Sequence, residues 1–210
     1  MDLSSSSIAI LVVLGVAGFF VGNFMAARPK AQESRVADFR LMARKMGIYP
    51  KLIARPEWLS DTLKALRPPK ADPYARTDTS VPMIAQYTVM MDELKLPLAH
   101  YRAIDGRWQL LDQQIHTPKM QRQVSKIDGT VIDLPASIAS YALGLSIKAN
   151  HISLYWLDDS YQHSYKAYKL DNQQAEADLS HLKQQLMAWA RSVNDGMSAS
   201  SDEPEDRKLW

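Results

Sequence analysis

Five histidines, His100, His116, His151, His163 and His181, are the side chains of this chain best suited to metal ligation or proton transfer. None forms an H-x-x-x-H pair and none sits in H-E-x-x-H, the spacings that place two imidazoles on one helix face. Cysteine is absent, which excludes disulfides, thiolate metal sites and thiol catalysis. Two acidic pairs stand out, Asp92-Glu93 and Asp158-Asp159. Neighbours on a strand point to opposite faces, and Asp158-Asp159-Ser160 is turn chemistry. Gly144-Leu145-Ser146 lacks the second glycine of a nucleophile elbow. The other glycines beyond residue 27, Gly47, Gly106, Gly129 and Gly196, do not cluster, so no loop is built to cradle phosphates. The sequence therefore singles out no catalytic, cofactor-binding or metal-ligating residue, and the expectation is a non-enzymatic protein without a cofactor. The alternative is an enzyme whose site assembles in space from scattered residues such as His100, His151 and Asp158.

Aromatic residues are richer than catalytic ones. Tyr155, Trp156, Tyr161, Tyr165 and Tyr168 gather within fourteen positions. Tyrosine is favoured at protein interfaces, which makes Tyr155, Tyr161, Tyr165 and Tyr168 the candidate partner surface. Cross-strand packing also favours aromatics and is the competing explanation.

The element that positions everything else is the run from Ile8 to Ala27, which carries no charge. Twenty residues of helix reach about 30 Å, the thickness of a bilayer's hydrocarbon core. The preceding residues 1–7 contain no Lys or Arg, and Phe24 or Met25 would stand where signal peptidase needs a small residue. An uncleaved transmembrane anchor is expected. Arg28, Lys30, Arg35, Arg40, Arg44 and Lys45 come after it, so the positive side and residues 28–210 face the cytoplasm of a bacterium, with the N-terminus outside the inner membrane. These six residues are the candidate membrane-surface contacts for anionic lipids. Gly18, Gly22 and Ala26 form a small-residue stripe, the candidate helix–helix contact of a homo- or heterodimer.

Net charge is +2 overall, and its distribution matters more than its total. Residues 28–56 hold eight basic side chains against two acidic ones, whereas residues 82–194 hold eleven of each. The basic excess thus lies beside the anchor. A neutral main domain argues against nucleic acid as a partner.

The 28–67 stretch reads as a basic juxtamembrane helical region. Val36, Phe39, Ala43 and Met46 recur at helical spacing before a Gly47 cap. Such a helix would lie on the inner leaflet, with Phe39 and its neighbours in lipid, or would pack on the chain's own domain. Pro50 and Pro56 mark extended backbone, and Trp58, Leu59, Leu63 and Leu66 suit a short helix. Residues 68–82 hold four prolines and read as a linker.

Residues 83–195 form the soluble domain, of α+β class. Asp105-Gly106 and Asp128-Gly129 each predict a hairpin with a type I′ turn. A third hairpin is expected to join HISLYWL to HSYKAYKL, with Ile152, Leu154 and Trp156 on one face. MIAQYTVMMDEL suits either a strand or a helix. Pro135 is expected to open a helix in which Ile138, Tyr141, Ala142 and Leu145 share a side. The last element is a helix over 173–194, capped by Asp171. Its stripe of Ala175, Leu179, Leu182, Leu186, Trp189 and Val193 should pack on the sheet. Gly196 is expected at its C-cap. Residues 196–210 form a disordered acidic tail.

The layout of an N-out anchor, a linker and a cytoplasmic α/β module resembles that of bacterial cell-division tethers. It is similar also to small accessory subunits of the protein translocase. The resemblance implies a single-pass adaptor or scaffold with a protein-interaction domain, in the division machinery or another envelope machine such as a secretion or translocation complex.

Overall fold

A computed structural model describes residues 12–20, 31–66, 83–111, 117–162 and 169–198. Residues 12–20 are helical (α1), with apolar side chains exposed. No helix among the described residues is long and apolar enough to cross a membrane. The remainder of the 8–27 run lies outside the described residues, as do Arg28, Lys30, the linker and the tail beyond Ser198.

The domain is α+β. Six strands make one antiparallel sheet in the order β1-β2-β6-β5-β3-β4. They are β1 (Tyr49–Ala54), β2 (Met83–Met90), β3 (Leu96–Ile104), β4 (Arg107–Leu110), β5 (Ala142–Ala149) and β6 (His151–Trp156). Two helices cover one face, α2 (Ala31–Lys45) and α6 (Asn172–Ser198), assisted by the short α4 (Pro118–Val124) and α5 (Ala136–Ala139). A 3-10 turn (Glu57–Leu59) leading into α3 (Ser60–Leu66) lies against the other face.

Local chemistry explains the elements that match expectation. Asp105 and Gly106 adopt positive φ (49° and 70°), the backbone a type I′ turn requires, and they join β3 to β4. Gly47, at φ 77°, ends α2, with the Ile48 N–H returning to the Ala43 carbonyl at 3.0 Å. Asp171 accepts from the Gln174 N–H at 3.2 Å at the start of α6. All six residues of the expected α6 stripe are buried, packed on the sheet.

Other expectations are corrected. Asp128-Gly129 is no hairpin turn: residues before it form α4, and Gly129 (φ 72°) steers the chain along β4. The segment after Pro135 is helical only over Ala136–Ala139, and Ala142–Ala149 is strand β5. The hairpin partner of β6 is therefore β5, joined through a turn at Ala149-Asn150, and β6 itself leads into a 3-10 turn (Asp158–Ser160). Gly196 lies inside α6 rather than at its cap. The 28–67 region is not a separate helical body: it supplies β1 to the sheet and α2 to the core. Phe39 is buried against Tyr87, Trp156 and Tyr161, so it is not available to lipid.

Candidate functional site

Alternation sorts every strand into two faces. Ala85, Tyr87, Val89, Ala99, Tyr101, Trp108, Leu145, Ile147, Ile152, Leu154 and Trp156 point to the helix-covered face and are buried. The opposite face divides in two. Its lower half is closed by Trp58, Leu59 and Leu63, packed on Ile84, Leu143, Tyr155 and Leu157. This contact needs Gly144: a Cβ there would stand 2.6 Å from both Trp58 and Leu59 side chains. Arg102 fixes the segment from the sheet side, donating Nε to the Trp58 carbonyl at 2.8 Å and approaching Asp61 at 3.5 Å. A cavity of about 640 Å³ opens beside it, between α3, the Asp105-Gly106 turn and α5.

The upper half carries no described element. Its centre is a hydroxyl and amide ladder in which Ser146 and Ser153 are buried by the side chains around them and Gln86 and Thr88 are half-buried. Thr88 and Ser153 share a hydrogen bond of 2.8 Å, and Gln86 donates to Ser153 at 3.1 Å. Ser146 pairs with Ser153 across β5 and β6, and with His100 across β5 and β3. Exposed Tyr49, Met90 and Leu98 and the cations Lys51 and Lys148 surround it. His100 stacks on Trp58 with ring centroids 4.8 Å apart, and burial holds its pKa below the usual imidazole value. His151 is likewise lowered, by burial and then by Lys148. Tyr155 is raised by burial, an effect partly offset by its hydrogen bond with Ser146.

The conspicuous buried acids lie on the helix side of the sheet. Asp158 receives Arg40 in a two-pronged ion pair (2.6 and 2.8 Å) and the Tyr87 hydroxyl at 3.0 Å. Asp178 accepts from Ser137 (2.6 Å), Tyr161 (2.9 Å) and Gln174 (2.7 Å). Burial, with these carboxylates beside them, drives the Tyr87 and Tyr161 hydroxyls well above the ordinary phenol value. Arg40 is raised by its hydrogen bond to Asp158, against the opposing pull of burial. Each carboxylate is saturated by donors from different elements, so each acts as a joint: Asp158 holds α2 to the turn after β6, and Asp178 holds α6 to α5 and to the same turn. Sequence reasoning missed Asp178; the only sequence signal was an acid on the apolar side of α6, beside Leu179 and Leu182.

The sequence-derived candidates separate accordingly. His100 and His151 share the open face, neither lines the cavity beside Arg102, and Asp158 lies across the sheet from both. Tyr155 and Tyr161 are buried: Tyr155 packs on Trp58, and Tyr161 on Phe39 at 4.1 Å. Neither is exposed to a partner, and Tyr165 and Tyr168 lie outside the described residues. Of the basic residues, Arg35 is buried, Arg40 is committed to Asp158, and Arg44 and Lys45 are exposed. No Cβ at Gly18 would touch another atom, while Gly22 and Ala26 lie outside the described residues. Among the described residues no three His, Asp or Glu side chains converge as metal ligands. No family model, curated protein or solved structure matches this chain.

Proposed function

We propose that the chain is a single-pass adaptor of the bacterial inner membrane, its N-terminus outside and its α+β domain in the cytoplasm, where the open half of the sheet receives a protein partner. The observation that carries the reading is the uncharged 8–27 run with its one-sided flank of basic residues. The domain supports it. The described residues cover one face of its sheet and half of the other, where exposed Met90, Leu98, Tyr49, Lys51 and Lys148 ring a buried, hydrogen-bonded hydroxyl ladder. Such a mixed polar and apolar surface suits a protein interface. Arg44 and Lys45, with Arg28 and Lys30 nearer the anchor, are the residues left to meet anionic lipid headgroups. A place in the division machinery or another envelope complex belongs to this proposal through the layout alone.

The test is a pair of C-terminal fusions at native expression, one to green fluorescent protein and one to alkaline phosphatase. The proposal expects membrane-localised fluorescence and an inactive phosphatase. An active phosphatase with a dark, full-length fluorescent fusion would reverse the topology; diffuse fluorescence would remove the anchor.

A further inference from the structure

The two edges of the sheet are finished differently. On β4 the outer edge is sealed. The Trp108 N–H reaches the Thr130 carbonyl at 2.9 Å, the Trp108 carbonyl accepts from Gly129 at 2.7 Å, and the Leu110 N–H donates to Asp128 at 2.8 Å. On β1 no described segment does this, and the strand ends the sheet.

The ladder determines which backbone groups β1 presents. The Met91 N–H bonds the Asn150 carbonyl at 2.8 Å, so the odd-numbered residues of β2 direct their N–H and C=O groups toward β6. Pro50, Leu52 and Ala54 pair with Tyr87, Ala85 and Met83, and their backbone groups therefore point away from β2. Pro50 sits where its missing N–H costs the sheet nothing. Leu52 and Ala54 offer a donor and an acceptor each, and Pro50 an acceptor. Leu52 at 44%, Tyr49 at 53% and Met83 at 55% are exposed apolar side chains around this edge, and Lys51 is the exposed charge within the strand.

We propose that this edge receives a second copy of the chain, β1 against β1 in antiparallel register about a two-fold axis at Leu52. Outward groups meet only when residues of like parity face each other, which leaves three central registers. Centring on Lys51 sets Lys51 against itself, and centring on Ile53 sets Lys51 against Arg55; both place like charges directly opposite. Centring on Leu52 sets Leu52 on Leu52, Lys51 on Ile53 and Pro50 on Ala54. It also brings Tyr49 to Arg55, an aromatic–guanidinium contact. Each Pro50 withholds one donor, so the joint holds four hydrogen bonds instead of six. The pairing is isologous and closes at two copies, which removes the exposed edge.

The native chain has no cysteine, so single-cysteine variants report the register directly. Facing residues of a hydrogen-bonded pair have Cα atoms about 5.5 Å apart, within disulfide range. Full-length Leu52→Cys, in mild detergent with a gentle oxidant, should give a covalent dimer at least tenfold more readily than Gln109→Cys on the sealed edge or Met90→Cys on the open face. In the same detergent, Leu52→Lys should weaken dimerisation at least tenfold by sedimentation, with an unchanged circular dichroism spectrum. Equal cross-linking at all three positions, a monomer, or a dimer indifferent to Leu52→Lys would overturn the proposal. The last result is the one expected if the small residues of the anchor alone joined two copies.

Discussion

The two faces of the sheet do different work with the same strands. The helix face buries Tyr87, Tyr101, Trp108 and Trp156 under α2 and α6, and its two buried carboxylates lock those helices to the turn after β6. Among the described residues the opposite face is covered where Trp58 and Leu59 fit over Gly144. Stability and surface are thereby separated. Large apolar side chains under long helices supply the cooperative core, while Tyr49, Met90, Leu98, Lys51 and Lys148 form a surface around buried hydroxyls on the other face.

Substitutions should grade accordingly. Trp156→Ala, at the centre of the helix face, should cost about 3–5 kcal/mol in urea unfolding, as large aromatic deletions in a packed core do. Asp158→Asn should cost about 2 kcal/mol, since it removes the charge that Arg40 and the Tyr87 hydroxyl are arranged to meet; Arg40 is partly exposed and recovers some hydration. Trp58→Ala, on the half-covered face, should cost only about 1–2 kcal/mol. A helix-face core no more sensitive than Trp58 would remove the distinction between the faces. Gly144→Ala should loosen residues 57–66 and, because the added Cβ would also stand 2.8 Å from the Tyr101 carbonyl, strain the β3–β5 pairing, seen as faster proteolysis of 57–66 and faster hydrogen exchange in β3 than in α6.

The smallest expected effect is on pH. His100 and His151 have pKa values lowered on folding from the ordinary 6.5, so between the folded and unfolded values the unfolded chain binds more protons. Their contribution is present above pH 6.5 and is lost as pH falls through the lowered values. A shallow decline in melting temperature below pH 6.5, reduced by His100→Gln, is the expected result. Stability that increased on acidification over that range would contradict the desolvated setting of these imidazoles.

How much of this the sequence carries depends on the element. The α6 stripe and the Asp105-Gly106 turn are legible because one face of α6 and one short loop decide them locally. Strand β5 is not. Residues Ala142 to Ile147 are buried on both faces, so no alternation survives, and Ile138, Tyr141, Ala142 and Leu145 happen to repeat at helical spacing. Asp128-Gly129 carries the same local signal as Asp105-Gly106, but α4 precedes it and no strand does. Tyr155 and Tyr161 read as surface residues because their burial depends on Trp58 and Phe39, each more than ninety residues away in the chain. The joints at Asp158 and Asp178 are invisible for the same reason: the donors to Asp158 come from α2 and β2, and those to Asp178 from α5, the turn after β6 and α6 itself.

If the open half-face is the working surface, face-specific photocrosslinking in living cells will show it most directly. A photoreactive amino acid would replace Met90 or Lys148 on the open face, and Gln184 or Arg191 on the exposed side of α6. Discrete adducts to another protein are expected from Met90 and Lys148 and none from Gln184 or Arg191. Adducts confined to the α6 positions, or the same pattern from both sides, would contradict a partner surface on the open face.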